Sequence, residues 1–248
     1  MSEDSQGNGR LSGRIAVITG ASRGIGRAIA CAYAAQGAHV ILIARTVGGL
    51  EEVDDEIKAM GGSATLVPLD VTDFDALDRL GASIYERWGK LDILVGNAGI
   101  LGSLTPLGHI PPKEWQSVLD TNLTANWRLL RSLDPLLQQS DAARVIFLSS
   151  TVGHVHRAYW GVYAISKAAL ESLTCIYAAE NMKTHLCCNA INPGPVRTHM
   201  RAKAMPGEDP QTLPAPNELM PLFVELASPS STRTGEVINF TEWRASQP

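Results

Sequence analysis

Apolar and polar positions along this chain alternate in blocks rather than residue by residue. Short continuous apolar runs at 14–19 (RIAVIT), 39–44 (HVILIA), 64–69 (ATLVPL), 91–95 (LDILV), 144–149 (RVIFLS) and 185–191 (HLCCNAI) are separated by segments whose apolar residues recur every three or four positions. The runs read as strands buried on both faces, and the segments between them as amphipathic helices. An alanine-rich helix, RAIACAYAAQ, is closed by Gly37; a second carries Leu50, Val53, Ile57 and Met60 and stops at Gly61 and Gly62; a third starts at Asp73 and carries Phe74, Leu77, Leu80, Ile84 and Trp88. Pro111 and Pro112 open a longer helix with Trp115, Val118, Leu119, Leu123, Leu129, Leu130 and Leu133 on its apolar stripe, which Pro135 is expected to end or kink. Helices are also expected over 161–181 and 218–227, with a closing strand over 236–240.

Strands that alternate with helices, and that lack an exposed face, predict an α/β fold: a Rossmann-like, doubly wound parallel sheet of about seven strands flanked by helices. No linker, repeat or low-complexity block interrupts the pattern, so a single domain is expected over 13–248. A polar leader, expected to be disordered, precedes it at 1–12. The proline-rich stretch 206–216 reads as a loop with room to act as a lid.

Composition narrows the function classes. The 248 residues are 45% hydrophobic and 19% charged, an ordinary globular balance, and a net charge of −4 offers no footprint for nucleic acid. No apolar run is long enough to span a bilayer, and MSEDSQGNGR lacks the basic start and apolar core of a signal peptide. The expectation is a cytoplasmic protein with no membrane or nucleic-acid partner. Cys31, Cys175, Cys187 and Cys188 have no zinc-type spacing and read as buried free thiols. His154 and His156 lack a third ligand in sequence, so they read as cleft or solvent-facing residues and no metal is expected.

Two stretches carry chemistry. Thr19, Gly20, Gly24 and Gly26 form a T-G-x-x-x-G-x-G turn after the first strand, with Arg23 and Ile25 inside it, opening the first helix. Glycines there let the backbone approach a pyrophosphate, and the helix N-terminus offers free N–H groups to it. A cofactor with a free ribose 2′-hydroxyl would favour an acidic residue at the end of the second strand, where Ala44 and Arg45 stand instead. Arg45, with Arg23, is placed to clamp a 2′-phosphate, which favours NADP(H) over NAD(H), although either arginine also reads as a surface charge. The second stretch, 150–167, is STVGHVHRAYWGVYAISK. Tyr163 and Lys167 share one helical face, with Ser150 at the end of an apolar run; taken alone, the pair also fits a half-buried aromatic beside a snorkelling lysine. Tyr159 and Trp160 read as residues that line the cleft or pack against the lid.

The glycine turn, the N-A-G of Asn97, Ala98 and Gly99, the Y-x-x-x-K, and the P-G-x-x-x-T from Pro193 to Thr198 occur in one order. Together they resemble the short-chain dehydrogenase/reductase family, of the compact type called classical, over residues 14–240. The resemblance implies roles residue by residue. Ser150, thirteen residues before Tyr163, matches the serine that orients the substrate, in preference to Ser149. Asn122 matches the asparagine that holds a water in the proton relay. Asp70 and Val71 match residues beside the adenine, and Asn97, Ala98 and Gly99 the wall next to the ribose. Pro193, Gly194, Val196 and Thr198 match the segment that holds the nicotinamide carboxamide. Two positions depart from the family pattern: Gly96 stands where many members have asparagine, expected to loosen the strand end, and TEWRASQP follows Phe240 in place of a Gly-Gly-rich tail used in subunit packing.

The implied activity is hydride transfer between NADP(H) and a ketone or secondary alcohol, in a homo-oligomer (dimer or tetramer). Tyr163 is the general acid and base, Ser150 the second contact to the substrate oxygen, and Lys167 the cation that lowers the phenol's pKa and holds the ribose. An alternative is a catalytically idle NADP(H)-binding regulatory or scaffold protein, against which the intact Asn122, Ser150, Tyr163 and Lys167 argue. A lyase, dehydratase or epimerase that uses its nicotinamide transiently would show no net cofactor absorbance change during turnover.

Overall fold

The structure, a computed structural model, describes residues 9–247. The six apolar runs form strands, and a seventh joins them: β1 (Ile15–Thr19), β2 (His39–Ala44), β3 (Ser63–Pro68), β4 (Ile93–Gly96), β5 (Arg144–Leu148), β6 (Cys187–Asn192) and β7 (Val237–Asn239). They pair in parallel in the order β3-β2-β1-β4-β5-β6-β7. Every strand therefore ends on one edge of the sheet, and the order reverses between β1 and β4, where a doubly wound sheet opens its crevice.

Helices cover both faces. α1 (Gly24–Ala35), α2 (Val47–Ala59) and α8 (Met220–Ala227) close one core with Ile18, Val40, Leu42 and Ile146. α3 (Phe74–Trp88), α5 (Ala125–Leu137) and α6 (Gly161–Glu180) close the other with Val17, Ile41, Leu94, Val145 and Phe147. Strand residues alternate between the two cores, which is why both faces had to be apolar.

Several expectations are corrected. The leader expected over 1–12 falls largely on residues outside the described ones, but its last residues are ordered: Leu11 is fully buried in the α1 core and its N–H donates to Gln36 O at 3.0 Å. Pro135 does not stop its helix, which runs on to Leu137. The long helix from Pro112 is instead divided into α4 (Pro112–Leu119) and α5 by a π-helical turn, Asp120–Thr124. The 206–216 segment is less loop-like than expected. It follows α7 (His199–Ala204), contains a 3-10 turn at Pro210–Thr212, and is tied back by Arg201, whose guanidinium donates to both oxygens of Glu208. After β7 the chain forms α9 (Phe240–Ala245), whose Trp243 indole N–H donates to Glu225 at 3.1 Å. Of the four cysteines only Cys188 is buried; Cys175 is exposed and all are free.

The second core depends on close approach of α3 to α5. The Gly81 N–H donates to Ser132 Oγ at 3.0 Å, and a Cβ at Gly81 would lie 2.3 Å from Ser132 O. A Gly81→Ala variant must push the two helices apart and is expected to lose about 1–3 kcal/mol of stability, read from urea unfolding. Wild-type stability in that variant would contradict this packing.

Candidate active site

The edge where all the strands end gathers the candidate residues. At the end of β1, Thr19 Oγ1 accepts from the N–H groups of Asn97 and Ala98, both at 3.0 Å, while Asn97 Nδ2 donates to Thr19 O at 2.8 Å and Gly20 O at 3.2 Å. The end of β4 thereby clamps the glycine turn in place. Gly20 has φ +65° and Gly24 φ +58°, and a Cβ at Gly26 would lie 2.2 Å from Gly20 O. Larger residues cannot make this turn. α1 begins behind extended Arg23 with no side-chain cap and no acid in its first turn, so its first N–H groups face outward unneutralised. Ile25 packs its partly buried side chain on the first core.

Beside this turn, Arg45 is exposed at the end of β2, and its guanidinium lies 3.6 Å from Asp70. Asp70 also accepts from the N–H and hydroxyl of Thr72. Val71 is buried against the second core. The Gly96 departure does not loosen β4. The space of a side chain there is already taken, with Asn126 Oδ1 2.2 Å and Phe147 Cδ1 2.4 Å from where its Cβ would stand. Pro193 follows the end of β6, Gly194 takes φ +67° with its N–H on Asn192 Oδ1, Val196 is buried, and Thr198 caps α7 by accepting from the Arg201 N–H.

The catalytic candidates meet where β5 faces α6. Tyr163 is 8% exposed and Lys167 4% exposed, both on the inner face of α6. Ser150 stands close enough to Tyr163 for its hydroxyl to act on the phenol. Lys167 Nζ donates to Leu148 O at 2.6 Å and stands 5.7 Å from the centre of the Tyr163 ring. Burial pulls the Lys167 ammonium down to about 8, against the charge of Glu171 one turn further on. Burial likewise raises the Tyr163 phenol above its ordinary value, and the neighbouring Ser150 hydroxyl offsets this only partly. The expectation of a phenol lowered by its lysine is thus not met in the free protein, because burial of the phenol itself dominates.

Asn122 is fully buried in the π-helical turn, where its Oδ1 accepts from the Ile100 N–H at 2.8 Å and its Nδ2 donates to Ile100 O and Ser166 Oγ. Both hydrogens of its side-chain amide are thereby committed within the protein. Its backbone carbonyl accepts from Asn126 Nδ2 at 2.8 Å and keeps a second lone pair. Around the Tyr163 ring, Leu101, Val152 and Ala204 form a small apolar cluster joined by Trp160 and Met200. The Trp160 ring lies 6.1 Å from that of Tyr163, directly after Tyr159, a non-glycine residue at φ +72°. The cleft above the phenol is therefore apolar.

Some site residues escaped the sequence reading. Ser149, set aside in favour of Ser150, is buried with its hydroxyl on Glu171, and His154 Nδ1 approaches the same carboxylate at 3.3 Å. Glu171 follows Lys167 by the interval that separates Lys167 from Tyr163, a spacing that could have marked it. Among the described residues no group of three or more His, Cys, Asp and Glu side chains is gathered to hold a metal, and no helix is long and apolar enough to cross a membrane.

Comparison with known proteins agrees with this geometry. The family model for short chain dehydrogenases matches residues 14–209. The uncharacterized oxidoreductase YciK of Escherichia coli K12 is 40% identical over 226 residues, covering 90% of this chain and 89% of the relative. A crystal structure of a short chain dehydrogenase from Salmonella enterica serovar Typhi CT18 superposes with a TM-score of 0.91 at 38% identity, covering 94% of this chain and 98% of that one. A chain assigned as a short chain dehydrogenase from Escherichia coli CFT073, complexed with NADPH, superposes with a TM-score of 0.90 at 39% identity, covering 94% and 98%. With the glycine turn, the sheet order and the Ser, Tyr and Lys cluster in one arrangement, this chain belongs to the short chain dehydrogenase family, and its fold is that of an oxidoreductase.

Proposed function

We propose that the protein is an NADP(H)-dependent oxidoreductase that interconverts a ketone and a secondary alcohol, with Tyr163 as general acid and base. The observation that carries this reading is the buried Tyr163 phenol with the Lys167 ammonium and Ser150 beside it, on the same sheet edge as the uncapped start of α1.

The residues present fit a dinucleotide. Gly20, Arg23, Gly24, Ile25 and Gly26 supply a turn without side-chain bulk and a helix start without a competing acid, suited to a diphosphate. The start of α2 behind Thr46 is also uncapped and free of acids, so a 2′-phosphate there meets Arg45 and helix N–H groups together. Arg45 is exposed and its pairing with Asp70 is long, so that contact competes weakly with a phosphate. Asp70 and Val71 serve the adenine, Asn97, Ala98 and Gly99 the ribose, and Pro193, Gly194, Val196 and Thr198 the carboxamide. The neighbour complexed with NADPH supports the choice of cofactor.

When bound, the nicotinamide supplies or accepts the hydride. In reduction, Tyr163 gives its hydroxyl proton to the carbonyl oxygen, and burial keeps that proton on the phenol at neutral pH. Ser150 donates to the same oxygen, orients it and shares its developing charge. Lys167 spends one N–H on Leu148 O and has others for the ribose and for proton resupply. The relay water is assigned to the Asn122 backbone carbonyl, which keeps a lone pair beside its bond from Asn126, while both side-chain N–H groups are spent within the protein. The apolar cluster of Trp160, Met200 and Leu101 excludes bulk water from the phenol.

Replacing Tyr163 by Phe removes the acid and keeps the ring, so ketone reduction is expected to fall by about a hundredfold or more while NADPH affinity holds within a few-fold. Single-turnover rates and fluorescence titration check this, and undiminished turnover would contradict the assignment. For Arg45→Ala, the loss of a charge-assisted contact is expected to weaken NADPH about tenfold or more with NADH little changed. Equal weakening of both cofactors in paired titrations would rule Arg45 out as the phosphate contact.

A further inference from the structure

Where β5 leaves the sheet, three consecutive residues each take one side chain from three successive turns of α6. Leu148 O accepts from Lys167, the Ser149 hydroxyl donates to Glu171 Oε1, and the Ser150 hydroxyl stands beside the Tyr163 phenol. Residues 163, 167 and 171 recur at the four-residue interval that keeps side chains on one helical face. Two of these ties hold groups of the proposed chemistry. The third does not, yet it is built as carefully. Ser149 is 3% exposed and the Glu171 side chain 13% exposed, and Gly153 leaves room for the carboxylate, since a Cβ there would stand 2.7 Å from Glu171 Oε1. His154, in the loop that joins Ser150 to Tyr163, reaches the same oxygen.

We propose that Glu171 is a positioning residue for the reaction. It fixes the rotation of α6 against the end of β5, ties down the loop between Ser150 and Tyr163 through His154, and holds the positive charge on Lys167. The proposal rests on the reading of Tyr163 as the proton donor.

Rotating α6 about its axis would break the two hydrogen bonds and displace Tyr163 from Ser150 together, so the Ser149–Glu171 bond sets the Ser150–Tyr163 distance without touching the substrate. Its charge acts on Lys167 with little competition. On α6 the ionisable groups facing Lys167 are Tyr163 and Glu171; β5 presents a backbone carbonyl, the π-helical turn presents neutral Asn122, and the 97–99 segment has no ionisable side chain. Facing Glu171 is His154 of the 151–153 turn and its flank, with Lys167 on its own helix. The cluster of Tyr177, Asp134 and Cys188 belongs to the far part of α6 and its neighbours.

The test is Glu171→Gln in the full chain, which keeps the size and an accepting oxygen but removes the charge. Two profiles are read against pH: the rate of ketone reduction and the dissociation constant of NADPH from nicotinamide fluorescence. Without Glu171 the Lys167 ammonium loses its proton at lower pH. The alkaline limb of both profiles is therefore expected to move down by about half a unit to one unit, with a melting temperature close to wild type. A purely structural role would lower the melting temperature and leave the limbs in place, and limbs that coincide with wild type overturn the proposal. Tyr163→Phe, run in parallel, separates the two readings: full turnover there overturns the proton-donor role itself, whereas lost turnover there with unmoved limbs in Glu171→Gln overturns only the positioning role. Should Glu171→Gln fail to fold, Ser149→Ala removes the tie and keeps the charge. It is expected to lower turnover about three- to tenfold with NADPH affinity and both limbs unmoved, and wild-type turnover in that variant overturns the proposal.

Discussion

A primary ammonium buried at the edge of a parallel sheet is the constraint from which the rest of the candidate site follows. Taking a charge out of water costs several kcal/mol unless fixed partners replace the hydration shell, on the order of what a whole domain has in net stability. Lys167 has one backbone carbonyl, that of Leu148, and the field of Glu171 one turn away. Both partners exist only because α6 packs against β6 and the 151–153 turn that follows β5, and that placement in turn needs the parallel sheet covered on both faces. The same burial keeps the Tyr163 phenol in its neutral form. The free protein therefore holds a proton ready to give, while its cation is poised close enough to neutrality for small changes in nearby charge to matter.

The cofactor half of the site is joined to this catalytic half through β4. Asn97 and Ala98, at the end of that strand, bind Thr19 and Gly20 on one side. On the other side β4 pairs with β5, whose end carries Ser149 and Ser150. From the glycine turn at β1 to Ser150 at β5 is two strand spacings, roughly 10 Å, a span suited to an extended dinucleotide laid across the sheet edge. Gly96 fits this design. By giving up its side chain it admits Asn126 and Phe147, which pack the junction between β4, β5 and the helix that carries Asn122.

The strands and the long helices were readable because continuous apolar runs and three-to-four periodicity are local signals that burial on both faces enforces. The glycine turn and the Tyr163–Lys167 interval were readable for a related reason, since backbone approach and a shared helical face each demand fixed spacing. The features that were missed depend on contacts distant in sequence. The π-helical turn is stabilised by the bonds of Asn122 to Ile100 and Ser166, and nothing in DTNLT announces it. Leu11 is ordered because it fits under the end of α1, which its polar neighbours conceal. α7 and α9 have six residues each, too short for periodicity to speak. Ser149 looked redundant beside Ser150 until Glu171 appeared as its partner, and the pKa logic of the Tyr and Lys pair changed sign because burial cannot be read from an interval of four.

The chemistry proposed for this sheet edge is net hydride transfer to a carbonyl. The most direct measurement follows nicotinamide absorbance while the protein is offered a panel of ketones and secondary alcohols with NADP(H) and NAD(H) in turn. Net NADPH consumption is expected with apolar ketones, faster than with NADH. Tight NADPH binding with no net absorbance change across the whole panel would contradict it.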